Sequence, residues 1–180
     1  MGKLTEAMRL MGIRHPIVQG PFGGGLSTVR LAAAVADLGG LGSFGAHTLA
    51  PDEIGGVVRA IRAATNGPFA LNLWVSDHDP GGLSLTQAAF DRAYRLFEPY
   101  FRELGVPEPR QPERFHQRYD DQIAALVEAA PPVISFIFGV PSPDVLAQCR
   151  KRGIVTIGTA TTLAEAQALD EAGLDLIVAT

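Results

Sequence analysis

Residues 20–25 read Gly-Pro-Phe-Gly-Gly-Gly, four glycines in six positions, directly after the short apolar run from Pro16 to Gln19. Three chemistries ask for such a stretch. A tight turn uses one or two glycines, a phosphate cradle uses several, and a flat aromatic cofactor lying on the backbone also excludes side chains. A second chemical feature is Asn72, the one polar residue inside "FALNLWV" (69–75). A buried amide needs hydrogen-bond partners for both its oxygen and its nitrogen, and either a bridge to a neighbouring strand or the polar edge of a ligand supplies them. Four histidines, His15, His47, His78 and His116, are the candidate general bases, and His78 stands in an Asp77-His78-Asp79 triplet. Adjacent residues rarely all face one ion, so no metal site is expected there. The single cysteine, Cys149, excludes an intrachain disulfide and a Cys-based zinc cluster and reads as a half-buried thiol in a reducing compartment.

The elements that must position these residues alternate regularly. Apolar, often β-branched runs begin at 16 (PIVQG), 41 (LGSFG), 69 (FALNLWV), 132 (PVISFIFG), 154 (IVTIGTA) and 174 (LDLIVAT), and each reads as a buried strand. Between them lie helical patterns with recognisable ends. Ser27 is placed to cap "STVRLAAAVADLGG", with Gly39 or Gly40 closing it. Ser142, Pro143 and Gly153 punctuate "SPDVLAQCRKRG" as N-cap, first helical residue and C-cap, and Thr162 with Glu165 has capping-box spacing. The strand starts are 25, 28, 63, 22 and 20 residues apart, so all but one interval has the length of a minimal parallel β–α unit. The long interval holds a helical insertion, 76–116, whose helix over 85–105 carries Phe90, Tyr94, Phe97 and Phe101 on one face, a stripe expected to pack into a core.

Regular β–α units fit either a doubly wound sheet or a TIM-type (β/α)8 barrel. A dinucleotide site requires G-x-G-x-x-G entering a helix and an acidic residue ending the second strand, and "GPFGGGLST" and "GGLGSFGAH" supply neither. The expected fold is therefore a single α/β domain over 1–180, about six of the eight units of a TIM barrel. On that fold His15 sits at the wrong end of the barrel for chemistry. His47 and His78 stand on the C-terminal rim, where active sites form, with His47 either facing the pocket or bonded to backbone, and His116 is an exposed helix start. The 180 residues carry 15 basic and 19 acidic side chains, a net charge of −4 without a basic cluster, so neither nucleic acid nor an anionic membrane is an expected partner. The start is too polar for a signal peptide and no apolar run is long enough to span a bilayer, which gives the expectation of a cytoplasmic protein.

The stretch from "HPIVQGPFGGGLSTVRLAAAVADLGGLGSFGA" through "PFALNLWV" and "PVISFIFGVPSPDVLAQCRKRGI" to "EAGLDLIVAT" resembles the nitronate monooxygenase family, also called 2-nitropropane dioxygenases. The resemblance implies a flavin-dependent barrel that oxidises alkyl nitronates, and sometimes nitroalkanes, with molecular oxygen. It implies that Gly20, Pro21, Phe22 and Gly23 contact FMN from the end of strand one, that Asn72 holds the flavin, and that Thr180 enters a further flavin loop. Two departures stand out. Ile137 in "SFIFG" occupies the position where many members carry a histidine, and the family's catalytic histidine is expected after Thr180, the last residue of this sequence. Three functions follow: a nitronate monooxygenase inactive as this fragment alone, an FMN-dependent enoyl-acyl-carrier-protein reductase, or a non-catalytic barrel piece that covers its open edges by oligomerising or by pairing with another chain.

Overall fold

The computed structural model describes residues 5–75, 85–112 and 115–180, and the chain divides into two units, one formed by 1–76 with 117–180 and the other by 77–116. The first unit runs α1 (Glu6–Met11), α2 (Val29–Asp37), β1 (Gly42–Gly45), α3 (Pro51–Ala64), β2 (Phe69–Trp74), α5 (Tyr119–Ala129), β3 (Val133–Ile137), α6 (Pro143–Lys151), β4 (Val155–Ala160), α7 (Leu163–Ala172) and β5 (Leu176–Ala179). The second contains α4 (Gln87–Glu103). The five strands form one sheet in the order β1-β2-β3-β4-β5, every neighbouring pair parallel. Each β–α–β step thus returns the chain beside the strand it left, the repeat from which a TIM barrel is built.

The first expected strand, at 16–20, is a correction: it is a single parallel bridge between Val18 and Leu41. The Leu41 N–H donates to the Ile17 carbonyl and the Gln19 N–H to the Leu41 carbonyl, both at 2.9 Å. Continuation fails for a chemical reason. The Ser43 N–H is taken at 2.9 Å by the side-chain Oε1 of Gln19 in place of a backbone carbonyl, and Pro21 has no N–H to offer the next rung. The cap of α2 also differs by one residue. Thr28 accepts the Leu31 N–H at 3.1 Å, while Ser27 is buried and its hydroxyl accepts from Gln19 Nε2 at 3.2 Å. Ser142 accepts the Val145 N–H and Thr162 with Glu165 closes a capping box as expected, while the C-cap of α6 is Arg152 rather than Gly153, which follows it at φ +68.

Strand alternation divides the side chains of this unit between two faces. Phe69, Leu71 and Leu73 of β2 and Ile134 and Phe136 of β3 face the helices, packing with Ile54, Val58 and Ile61 of α3, Leu126 of α5 and Leu146 of α6. At Gly42 the approach is so close that a Cβ would lie 1.9 Å from the Ala32 carbonyl oxygen of α2, so only glycine lets that helix sit on β1. On the opposite, inner face the strand starts contribute Leu41, Ala70, Val133 and Ile157, and Met8 and Ile13 pack over them. This apolar floor leaves the C-terminal half of the inner face for a site.

In the second unit Thr86 caps α4 through the Ala89 N–H at 3.2 Å, and Pro99 lies within the helix. The aromatic stripe does not form the expected core: no residue of α4 is buried. Its rings instead pair locally, Tyr94 edge-on to Phe101 at 5.5 Å and Phe90 against Phe115 at 6.2 Å, and Phe97 is exposed.

Candidate functional site

Beyond the apolar strand starts, the described residues of the inner face turn polar without becoming charged. Register sets Asn72 opposite Ser135 on β3, and the Asn72 Nδ2 donates to both the Ser135 carbonyl (3.1 Å) and its Oγ (3.0 Å). The amide is only 5% exposed, so the interstrand bridge is the partner its burial requires. Asn72 also lines a cavity of about 680 Å³ along the inner face of the sheet, together with Ser43, Ser135 and Thr159 and with Leu41, Ala70 and Ile157 of the apolar strand starts. Gly20, Pro21 and Phe22 form another part of its wall, so the chain brings these three to the same space as Asn72.

The glycines that follow have different employments. Gly24 and Gly25, at φ +65 and +85, make the turn into α2. Gly23 lies outside the cavity wall, and what approaches it is the imidazole of His47: a Cβ on Gly23 would stand 2.0 Å from the His47 Cε1. His47, at the end of β1 as expected, stacks face to face on Trp74, with ring centroids 3.9 Å apart and planes 7° from parallel. Its buried Nδ1 has no hydrogen-bond partner among the described residues, and burial pushes its pKa below the ordinary histidine value. The loop that carries it is tied to α5 by Gln122, whose buried amide Nε2 donates to the carbonyls of Ala46, His47 and Leu49 at 3.3, 3.0 and 2.8 Å. Trp74 in turn meets Phe138 edge-on at 5.1 Å, and Phe138 is held at φ +68, a left-handed conformation unusual for a residue with a Cβ.

The remaining expected residues lie apart. Thr180 donates its N–H to the Ala160 carbonyl at 3.0 Å and borders a separate cavity of about 510 Å³ beside Glu165 and Phe138. His15 is exposed, His116 is half-buried rather than exposed, and His78 with its two aspartates lies outside the described residues. Cys149 is fully buried rather than half-buried. Burial, reinforced by the negative Asp175, pushes its thiol up to about 11. Among the described residues no group of three or more His, Cys, Asp or Glu is arranged to hold a metal ion, and no helix is long and apolar enough to cross a membrane. Sequence reasoning missed Trp74, Phe138 and Gln122. Trp74 had a signal, since it shares the strand face of Asn72 two residues away. Gln122 had none, because its acceptors lie more than 70 positions earlier in the chain.

The geometry agrees with what the chain is similar to. The family model described as nitronate monooxygenase matches residues 5–180. A nitronate monooxygenase of Paraburkholderia phytofirmans is 37% identical over 174 residues, covering 94% of this chain and 46% of that protein. The crystal structure of nitroalkane oxidase from Streptomyces ansochromogenes superposes with a TM-score of 0.79 at 31% identity over 97% of this chain and 48% of its own. FabK from Thermotoga maritima shares the fold, with a TM-score of 0.68 at 23% identity, over 97% of this chain and 43% of its own. The chain spans about half the length of the relatives it matches. With the match running from residue 5 to residue 180 on a parallel α/β sheet of TIM-barrel type, the chain belongs to the nitronate monooxygenase family.

Proposed function

We propose that this chain forms the first part of an FMN-dependent oxidoreductase that oxidises alkyl nitronates or nitroalkanes with molecular oxygen. The observation that supports it is the cavity on the inner face of the parallel sheet, which joins Gly20–Phe22 and Asn72 in one wall. Its lining suits a flat, neutral ring system: among the described residues no lining side chain carries a formal charge, Gly20 leaves backbone accessible, and Asn72, Ser43, Ser135 and Thr159 offer hydrogen-bonding groups. Gly20, Pro21, Phe22 and Asn72 would hold the flavin, and when bound it supplies the electron acceptor for the nitronate and the group that reacts with oxygen. Gly23 acts behind this wall, as the backbone against which His47 rests, and Thr180 borders it from the adjoining cavity.

The general base expected for nitroalkanes is a histidine beyond Thr180, and no described histidine takes its place: His47 has its ring face on Trp74 and its Nδ1 buried. The 180 residues alone are therefore expected to be inactive, and the sheet edge at β5 is where further chain or a partner completes the barrel. Oxygen uptake with a preformed alkyl nitronate tests this, measured with added FMN for the chain alone and for the chain joined to the C-terminal half of a family member. FMN-dependent uptake by the joined protein only is the expected result. NAD(P)H oxidation without nitronate-dependent oxygen uptake would replace this reading with the enoyl reductase. In the joined protein Asn72→Ala should weaken FMN retention about tenfold, the consequence of one buried hydrogen-bonding group lost. Unchanged retention would leave Asn72 as the interstrand bridge alone.

A further inference from the structure

The segment that carries Gly20, Pro21 and Phe22 to the cavity is held by a side chain where a strand would use main chain. After the Val18–Leu41 bridge, the next rung of a parallel ladder would run from the Ser43 N–H to the Gln19 carbonyl. The Gln19 Oε1 accepts that N–H instead, at 2.9 Å, and the Gln19 carbonyl has no donor among the described residues. The other end of the same amide turns back on the segment. Its Nε2 donates to the Gly20 carbonyl and, at 3.2 Å, to the hydroxyl of buried Ser27, which itself donates to the Gly20 carbonyl at 3.4 Å. One side chain thus ties together β1, the first glycine of the cavity wall and the turn into α2. Val18 and Gly20 line the cavity and Gln19, between them, does not, as strand alternation requires. The residue type is as informative as the geometry. The Ser43 N–H needs an acceptor and the Gly20 carbonyl a donor; at neutral pH a carboxylate offers only acceptors, an ammonium only donors, and a primary amide both. The far end of the wall is fastened separately. The Ser27 N–H donates to the Phe22 carbonyl at 3.2 Å, and the Phe22–Gly23 peptide lies against Gly45, where a Cβ would stand 2.8 Å from the Gly23 nitrogen.

We propose that Gln19 is a positioning residue for the flavin: by replacing one ladder rung with its amide it holds Gly20 and Pro21 off β1 and fixed in the cavity wall before the cofactor arrives. The inference rests on the reading that this wall holds FMN. Without the amide, the Ser43 N–H pairs with the main-chain carbonyl of position 19, which zips the segment one rung further onto β1 and draws Gly20 from its place in the wall. The fold survives that change, and the preformed wall does not.

The chain joined to the C-terminal half of a family member supplies an FMN-binding readout, and the 180-residue chain supplies one that needs no cofactor. In the joined protein Gln19→Leu should weaken FMN binding about tenfold, the effect of a contact surface that has lost its preorganisation. Gln19→Glu keeps an acceptor for Ser43 and loses only the donor, so it should show the same loss even where Gln19→Leu does not fold. Ser27→Ala added to Gln19→Leu should deepen the loss no further, because the two side chains act as one clamp. Thr28→Ala, which removes the cap of α2 and lowers stability without touching the clamp, should leave FMN affinity within about twofold of the unsubstituted protein. In the 180-residue chain, NMR should show a through-hydrogen-bond coupling from the Ser43 nitrogen to the side-chain carbonyl carbon of Gln19, and in Gln19→Leu to the main-chain carbonyl of position 19. Undiminished FMN affinity in both Gln19 variants, an equal loss in Thr28→Ala, or a main-chain coupling already present in the unsubstituted chain would overturn the assignment. FMN bound equally by all variants overturns the positioning role and leaves the flavin reading standing. An unsubstituted joined protein that binds no FMN overturns the flavin reading, and the positioning role with it, while the Ser43 coupling still shows whether Gln19 bridges β1 to the segment.

Discussion

Gly23 and His47 show how closely one residue can fix another. A methyl group on Gly23 would overlap the imidazole at 2.0 Å, so Gly23→Ala must push the ring off Trp74 or move the 20–25 segment. We expect a loss of about 1–3 kcal/mol, the usual cost of overpacking, and expect His47→Ala to remove most of it when the two are combined. A double-mutant cycle by urea denaturation measures the coupling, and additive costs would mean that the ring does not occupy this space in solution. Cys149 makes a second prediction at this scale. Its thiol rises from an ordinary 9.0 to about 11 in the fold, chiefly through burial and then through Asp175, so the native protein keeps the proton that the unfolded chain releases first. This contribution to stability is complete below pH 9 and is lost as pH rises from 9 to about 11. The denaturation midpoint should therefore fall across that interval and fall less in Cys149→Ala. At pH 8 the native thiol should resist a thiol reagent that labels it quickly in urea.

Among the elements, five strands were legible to within two residues because each is an apolar run that begins shortly after a glycine or proline. The first strand was misread for reasons the same principles contain: the side chain of Gln19 replaces the backbone carbonyl at the next rung, and Pro21 cannot donate to the one after. That Gly20, Pro21, Phe22 and Asn72 belong together was an implication of the family resemblance rather than of the element order, and the four line one cavity. The Trp74–His47–Phe138 group was legible from neither, since it depends on a register that joins residues 63 positions apart, Asn72 and Ser135, and on a side chain of α5 reaching the loop after β1. Gln122 therefore carries the prediction for this scale. Gln122→Leu should cost about 1–3 kcal/mol by leaving buried carbonyls short of a donor. Hydrogen exchange in residues 46–49 should quicken while β2 and β3 keep their protection, and unchanged exchange at 46–49 would show that the loop is held by other contacts. The α7 capping box offers a control of known size, since Thr162→Ala should cost about 1 kcal/mol without altering that loop.

Across the sheet unit, stability rests on apolar packing. The ion pairs among the described residues of this unit, Arg9 with Glu6 and Arg118 with Asp121, are exposed and three residues apart, a kind that contributes little. The liability is at β5, which ends the sheet with Ile177 and Val178 exposed and a row of unpaired backbone groups. We expect the 180-residue chain to associate as its concentration rises, and Val178→Lys to shift it towards monomer in sedimentation velocity. A wild-type chain that stays monomeric at high concentration would count against an open edge. Among the described residues the lining of the large cavity is uncharged, which has a consequence for ionic strength. With no formal charge to screen, occupancy by a neutral ligand should hardly respond to sodium chloride, while ammonium sulfate, which strengthens apolar burial, should tighten both ligand binding and edge-to-edge association. Sodium chloride thus becomes a solvent control that separates this site from any charged one elsewhere on a molecule of net charge −4.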